Sequence, residues 1–198
     1  MVASGATLEV ATTSTVAEPL SIAGTGVSGT AGAVNFSAAG TLSGTVAIGS
    51  AGATVNAAAA GVISGVVSDA TTAAALTKTG AALLTLSGAN TYSGNTTISE
   101  GSLTVSGTLG TSASYGGMIA ITPSASTFTF SNTSSGTTQT ITGVISGDGA
   151  LTKSGGSTLV LGATGGNTYT GKTTISGGKV SIAADTGLGS APTGSAVA

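Results

Sequence analysis

The chain has no cysteine, no histidine and no tryptophan, and of its 198 residues only 4 are lysine or arginine and 6 are aspartate or glutamate. Without Cys there is no disulfide and no thiolate-bound metal. Without His there is no Ser-His-Asp or Cys-His nucleophile and no zinc site built on those ligands. The cations are all lysines, Lys78, Lys153, Lys172 and Lys179, and they are dispersed. Nucleic acid is bound by clustered cations that displace counterions, so it is not expected as a partner, and neither is a polybasic membrane patch. Mean hydropathy is positive, but Ala and Val supply much of it. No uninterrupted apolar run approaches the ~18 residues of a spanning helix, so membrane insertion is not expected. Met1-Val2-Ala3-Ser4 opens straight into a strand-like Thr7-Leu8-Glu9-Val10, without the basic region and apolar core of a signal peptide. An exported chain would have lost its signal or carry it outside these residues.

Glycine, by contrast, is abundant at 34 residues against 3 prolines, with no strict triplet. That balance suits frequent corners and argues against collagen or a disordered linker. With charged residues at 5% against the usual ~25%, Thr, Ser and Asn must make the surface, which resists self-association only weakly.

The dominant pattern is a long internal repeat. Leu76 to Val105, LTKTGAALLTLSGANTYSGNTTISEGSLTV, returns as Leu151 to Ile182, LTKSGGSTLVLGATGGNTYTGKTTISGGKVSI. Inside it apolar residues alternate with Thr or Ser, as in Leu84-Thr85-Leu86 and Leu103-Thr104-Val105, the period-2 mark of strands buried on one side. Those two segments lie 19 residues apart, and Leu159-Val160-Leu161 and Val180-Ser181-Ile182 lie 21 apart. Periods of ~20 residues upward mark stacked repeats. The expectation is an all-β parallel β-helix, a β-solenoid of about nine coils of roughly 20 residues.

The rest of the chain repeats this grammar more weakly. Candidate strands are Thr7 to Val10, Pro19 to Ile22, Gly32 to Phe36, Gly44 to Ile48 and Ala53 to Val55, then Met118 to Ile121, Ser126 to Phe130 and Thr137 to Ile141. Phe128 and Phe130 are expected to fill the interior of their coil. The run Ala57 to Ala60 is too short to nucleate a helix. Gly61-Val62-Ile63-Ser64-Gly65 recurs as Gly143 to Gly147, which sets repeat copies at 61–110 and 143–189, with weaker coils at 5–60 and 117–142. Past Ile182 the pattern fades into a small-residue tail. No linker divides the chain, so 1–198 is read as a single β-solenoid domain.

The residues of the repeat, L-T-K-x-G, a Leu-x-Leu strand, N-T-Y-x-G-x-T and G-x-Leu-x-Val, resemble the autotransporter-associated β-strand repeat, also called the passenger-associated transport repeat, of bacterial autotransporter passengers. Leu20 to Gly65 is similar to the region that usually precedes it. The resemblance implies a right-handed parallel β-helix that is secreted, extracellular or on a bacterial cell surface, acting in adhesion or surface structure. No outer-membrane barrel follows in this sequence, a departure from the family pattern.

Candidate site residues are structural. Asn90, Tyr92 and Gly94 recur as Asn167, Tyr169 and Gly171, and are expected at corners: Asn bonding backbone, Tyr covering the neighbouring coil, Gly supplying positive φ. The functional alternative for the tyrosines is stacking on sugars. Lys78 and Lys153 match in position and are expected to be solvated corner residues. The acids Glu9, Glu18, Asp69, Glu100, Asp148 and Asp185 are scattered, so no catalytic pair is expected, although Asp69 and Asp148 each follow a GVISG copy. Ser146-Gly147-Asp148-Gly149 reads as a solvated turn and Asn95-Thr96-Thr97 as an accidental glycosylation match. No cofactor or metal is expected. The expected partners are identical copies docking end to end, or neighbouring coils of a longer passenger, with a surface glycan as a further candidate. A flat Thr/Ser face binding glycan or ice is the competing function, suggested by Thr13-Ser14-Thr15, Thr127-Phe128-Thr129 and Thr138-Gln139-Thr140, although these pairs show no fixed coil position in the sequence.

Overall fold

Each short strand of this chain has one apolar side and no sequence neighbour able to cover it, so burial requires stacking on the coils before and after. In the computed structural model, which describes residues 1–71 and 73–190, every strand pairing is parallel, and the strands form sheets of nine, eight and four. The result is a parallel β-solenoid of about eight turns, close to the nine expected. At ~4.8 Å per coil the stack is roughly 35 Å long.

The coil has three walls. The first runs through Leu8–Val10, Val34–Phe36, the second half of Val46–Ala57, Leu76–Thr79, Thr96–Ile98, Ile119–Ile121 and Ile145–Gly147. The second is unbroken through all eight turns, from Thr15–Val16 and Thr41–Leu42 to Ala150–Lys153 and Thr173–Ile175. The third is discontinuous. Leu20–Gly24, the first half of Val46–Ala57 and Val67–Asp69 begin it; Ser114–Tyr115, Thr138–Ile141, Thr158–Leu161 and Lys179–Ile182 complete it. Asn90 to Tyr92 lie between the two parts, with Thr91 N–H donating to Val67 O at 2.8 Å.

Inward side chains stack by type along the axis. Leu84 lies against Leu103, then Phe128, then Leu151, and Leu86 against Val105, then Phe130. All of these are fully buried. Phe128 and Phe130 fill the interior as expected, and each such side chain contributes about 1.5–3 kcal/mol of transfer free energy.

Three differences from the sequence reading have physical causes. The two strands expected at Gly44–Ile48 and Ala53–Val55 are one 12-residue strand, Val46–Ala57, because Gly52, at φ 76°, turns the corner without breaking the ladder on either side. Short strands at Thr15–Val16, Thr41–Leu42, Gly61–Ile63 and Val67–Asp69 carry too few alternating residues to be read as such. Finally, the two GVISG copies are not equivalent. Gly61–Ile63 lies on the second wall and Ile145–Gly147 on the first, and an extra strand, Val67–Asp69, separates the earlier copy from its Leu-Thr-Lys segment. The true structural counterpart of Ile145 is Val67: the N–H of each is held by the matching Asn of the repeat.

In consequence the second repeat copy is displaced by one wall. Leu76–Thr79 and Thr96–Ile98 are first-wall strands, whereas Ala150–Lys153 and Thr173–Ile175 are second-wall strands; Leu83–Leu86 and Ser102–Val105 belong to the second wall, Thr158–Leu161 and Lys179–Ile182 to the third. The tail expected beyond Gly189 lies, from residue 191, outside the described residues.

Candidate functional site

The polar residues of the repeat meet at buried corners. Lys78 occupies the inward side of Leu76–Thr79, where alternation sends its methylenes into the core beside Val55 and Ile98. The ammonium group reaches the end of the strand. There Nζ donates to Thr79 O at 2.9 Å, Gly80 O at 2.6 Å and Glu100 O at 3.1 Å. Lys153 repeats the arrangement on the next wall, with Nζ donating to Ser154 O, to Gly155 O at 2.9 Å and to Gly177 O at 3.3 Å, and lying 5.8 Å from the centre of the Phe130 ring.

The expectation that Lys78 and Lys153 are solvated is therefore overturned: both are 0% exposed. At a corner the backbone turns out of the ladder and leaves carbonyl groups without strand partners, and an inward lysine is long enough to satisfy three of them. Gly80 and Gly155, at φ 80° and 70°, let the chain turn there. Burial lowers the Lys78 pKa from 10.5 to about 8, against the opposing pull of the Glu100 carboxylate. Burial also lowers that of Lys153.

Asn90 and Asn167 clamp three successive coils. The Oδ1 of Asn90 accepts from Val67 N–H at 3.0 Å, while its Nδ2 donates to Gly88 O at 2.9 Å and Thr108 O at 3.0 Å. Asn167 accepts from Ile145 N–H at 2.8 Å and donates to Gly187 O at 2.7 Å. Neither Asn has positive φ. Each acts instead as a side-chain substitute for a missing ladder bond.

Tyr92 and Tyr169 are fully buried, so neither ring offers a face to a sugar, and the stacking alternative is overturned. Tyr92 Oη lies 2.8 Å from Thr96 Oγ1, which lies 2.7 Å from Tyr115 Oη; Tyr115 in turn donates to Gly94 O. The Tyr92 and Tyr115 rings meet edge to face with centroids 5.6 Å apart. Tyr169 pairs in the same way with Thr173 Oγ1, at 2.6 Å. Burial pushes the Tyr92 hydroxyl up to about 12 against the hydrogen bonds from Thr96 and Tyr115, with Asp69 adding to the rise. It raises Tyr115 too, aided by the adjacent Tyr92, and Tyr169, opposed by the Thr173 bond.

Gly94 and Gly171 correct the sequence reading of their role. Neither has positive φ. A Cβ on Gly94 would sit 2.3 Å from Ala74 O, and one on Gly171 2.1 Å from Gly149 O, so close approach of the preceding coil excludes a side chain.

Asp69 and Asp148 are not brought together, since they close strands of different walls. The Asp69 carboxylate accepts from Ala74 N–H at 3.2 Å and from Ser93 N–H and Oγ at 2.9 and 2.6 Å; Asp148 accepts from Thr170 Oγ1 at 3.2 Å. Both fasten a turn to the next coil. Among the described residues no group of three or more acids could hold a metal ion.

Sequence reasoning missed Gln139, which is buried and bonds both Leu109 N–H and Leu109 O, at 2.8 and 2.9 Å, and Asn132, which donates to Gly107 O at 3.0 Å. The signal for Gln139 was its inward place in Thr138-Gln139-Thr140-Ile141, where a polar residue must find an internal partner.

The model of the passenger-associated transport repeat matches residues 76–105 and 151–182, the two segments whose Lys, Asn, Tyr and Gly residues build these corners. These are passenger-associated transport repeats. Neither the curated proteins nor the solved structures contain a significant match to the chain. Within each matched segment the recognisable polar residues spend their hydrogen bonds inside the solenoid, closing their own corner and, through Lys78, Asn90, Lys153 and Asn167, joining it to neighbouring coils.

Proposed function

We propose that the chain is a length of non-catalytic rod displayed outside a bacterial cell, serving surface structure and adhesion and able to dock end to end on identical copies. The observation that carries the structural reading is the burial of the motif itself: Lys78, Asn90, Tyr92, Lys153, Asn167 and Tyr169 are all turned into the solenoid. A motif selected for binding or catalysis would present such groups to a cleft; here they hold coil to coil. Surface or secreted placement is supported by the transport repeats.

End-to-end docking is supported by the last described coil. Among the described residues, Thr173–Ile175 and Lys179–Ile182 stand at the ends of their sheets, and their inward residues Ile175 and Ile182 are 54% and 38% exposed, a surface that a further coil or an identical copy would cover. An edge of this kind pairs readily with another strand. A head-to-tail contact that does not close generates a filament, and the low charge of the chain offers little repulsion to it. Electron microscopy of the purified protein over a range of concentrations tests this: fibres one solenoid wide that lengthen with concentration are expected, and dispersed short rods at high concentration would overturn docking.

A further inference from the structure

The second wall carries a grid of hydroxyls on its outer face. Strand register places one outward residue of each turn in a single column from Thr15 to Thr174, and that residue is threonine in every turn but one, where Val62 stands. Two residues further along, the turns from Ser43 through Ser87, Ser106 and Ser131 to Ser176 all carry serine, stacked through backbone bonds such as Ser106 N–H to Leu86 O at 3.0 Å and Ser131 N–H to Val105 O at 2.9 Å. Among the described residues no register shift interrupts this wall, and neither column contains an ionisable group. Lys153, which lies between Thr152 and Ser154, points inward and leaves the grid neutral.

The grid repeats at ~4.8 Å along the axis, with the threonines on the sheet and the serines just past the ends of its strands, roughly 6.6 Å away. Spacings of this order are those of surface oxygens on the lateral planes of hexagonal ice. A neutral, pre-ordered hydroxyl array can place many water oxygens at once without loss of side-chain freedom, so weak bonds add across the face. Charged partners find no complement on it. Sugar recognition through ring stacking is closed off, because the three Phe and three Tyr of the chain are all buried. We propose that the second wall binds the surface of an ice crystal. This goes beyond the structural reading and rests on the fold alone, not on end-to-end docking.

Ice-affinity partitioning of the whole chain tests it, with a protein of similar size as reference. The chain is expected to enter slowly grown ice several-fold above the reference. Thr104→Tyr, at the centre of the grid, is expected to fall to the reference level, while Thr97→Tyr, outward on the first wall, is expected to partition like the parent. Should Thr104→Tyr alter the circular dichroism spectrum, Thr129→Lys replaces it, with the same expected loss. A parent chain at the reference level, or equal loss in Thr97→Tyr with its spectrum unchanged, would overturn the proposal. So would retention on cellulose or chitin powder without enrichment in ice, which would assign the face to polysaccharide. Partitioning reads single rods and fibres alike, so a failure of docking leaves its result interpretable.

Discussion

Asn90→Ala removes three side-chain hydrogen bonds yet orphans a single buried group. Gly88 O keeps the N–H of Thr108, at 3.2 Å, and Thr108 O keeps the main-chain N–H of residue 90, at 3.0 Å. Val67 N–H has no such substitute, because its partner is Asn90 Oδ1. An orphaned buried donor costs about 1–3 kcal/mol and each further lost bond about 0.5–1.5, so the substitution is expected to destabilise by about 4 kcal/mol. Asn56→Ala is the control. Its bonds run to the side chains of Asn35 and Thr79, at 2.8 and 3.1 Å, on the outer surface where water replaces them, and less than about 1 kcal/mol is expected. Urea unfolding followed by circular dichroism reads both, as a shift in midpoint at constant slope. Stability of Asn90→Ala within about 0.5 kcal/mol of the parent, or an equal loss in Asn56→Ala, would refute the account of the Asn clamp.

Gly94→Ala places a methyl against a backbone carbonyl that has no room to withdraw, so a loss of about 1–3 kcal/mol is expected in the same assay, with Gly136→Ala, where nothing lies within 4 Å of the added carbon, near neutral. Lys78 binds its proton less tightly in the fold than in the unfolded chain, so stability is expected to rise with pH between about 8 and 10, by up to roughly 3 kcal/mol from this group, a slope that Lys78→Met reduces to the part contributed by Lys153. Above pH 10 the sign reverses: unfolded tyrosines ionise while Tyr92 holds its proton to about 12, so stability falls, and thermal melts across this range are expected to show a maximum near pH 10. Tyr115→Phe leaves Gly94 O without its hydroxyl donor and is expected to cost about 1–3 kcal/mol by the same melts.

Alternation was enough to read the solenoid, because Leu84, Leu86, Leu103 and Val105 point inward wherever their coil is placed. What alternation cannot convey is register between coils. Successive turns of the second wall differ in length, from 19 residues between Thr85 and Thr104 to 26 between Thr15 and Thr41, so threonines that look unrelated in sequence form one column in space. The same variability hid the displacement of the second repeat by one wall, since both copies read identically whichever wall they line. The lysines were misread for a different reason: charge argues for solvent, and only the carbonyls exposed by the corner reverse that argument. Gly94 and Gly171 were found by their recurrence, but the need they meet is room for the preceding coil.

The displacement of the second transport repeat determines how the molecule can be touched. Equivalent strands of the two copies look out from different walls, so a flat partner pressed against one strand of the first copy does not meet that strand's counterpart in the second, and nothing gains avidity by recognising the same segment of the motif twice from one side. Whatever adheres to this rod must read a wall along its length, assembled from turns of unlike sequence.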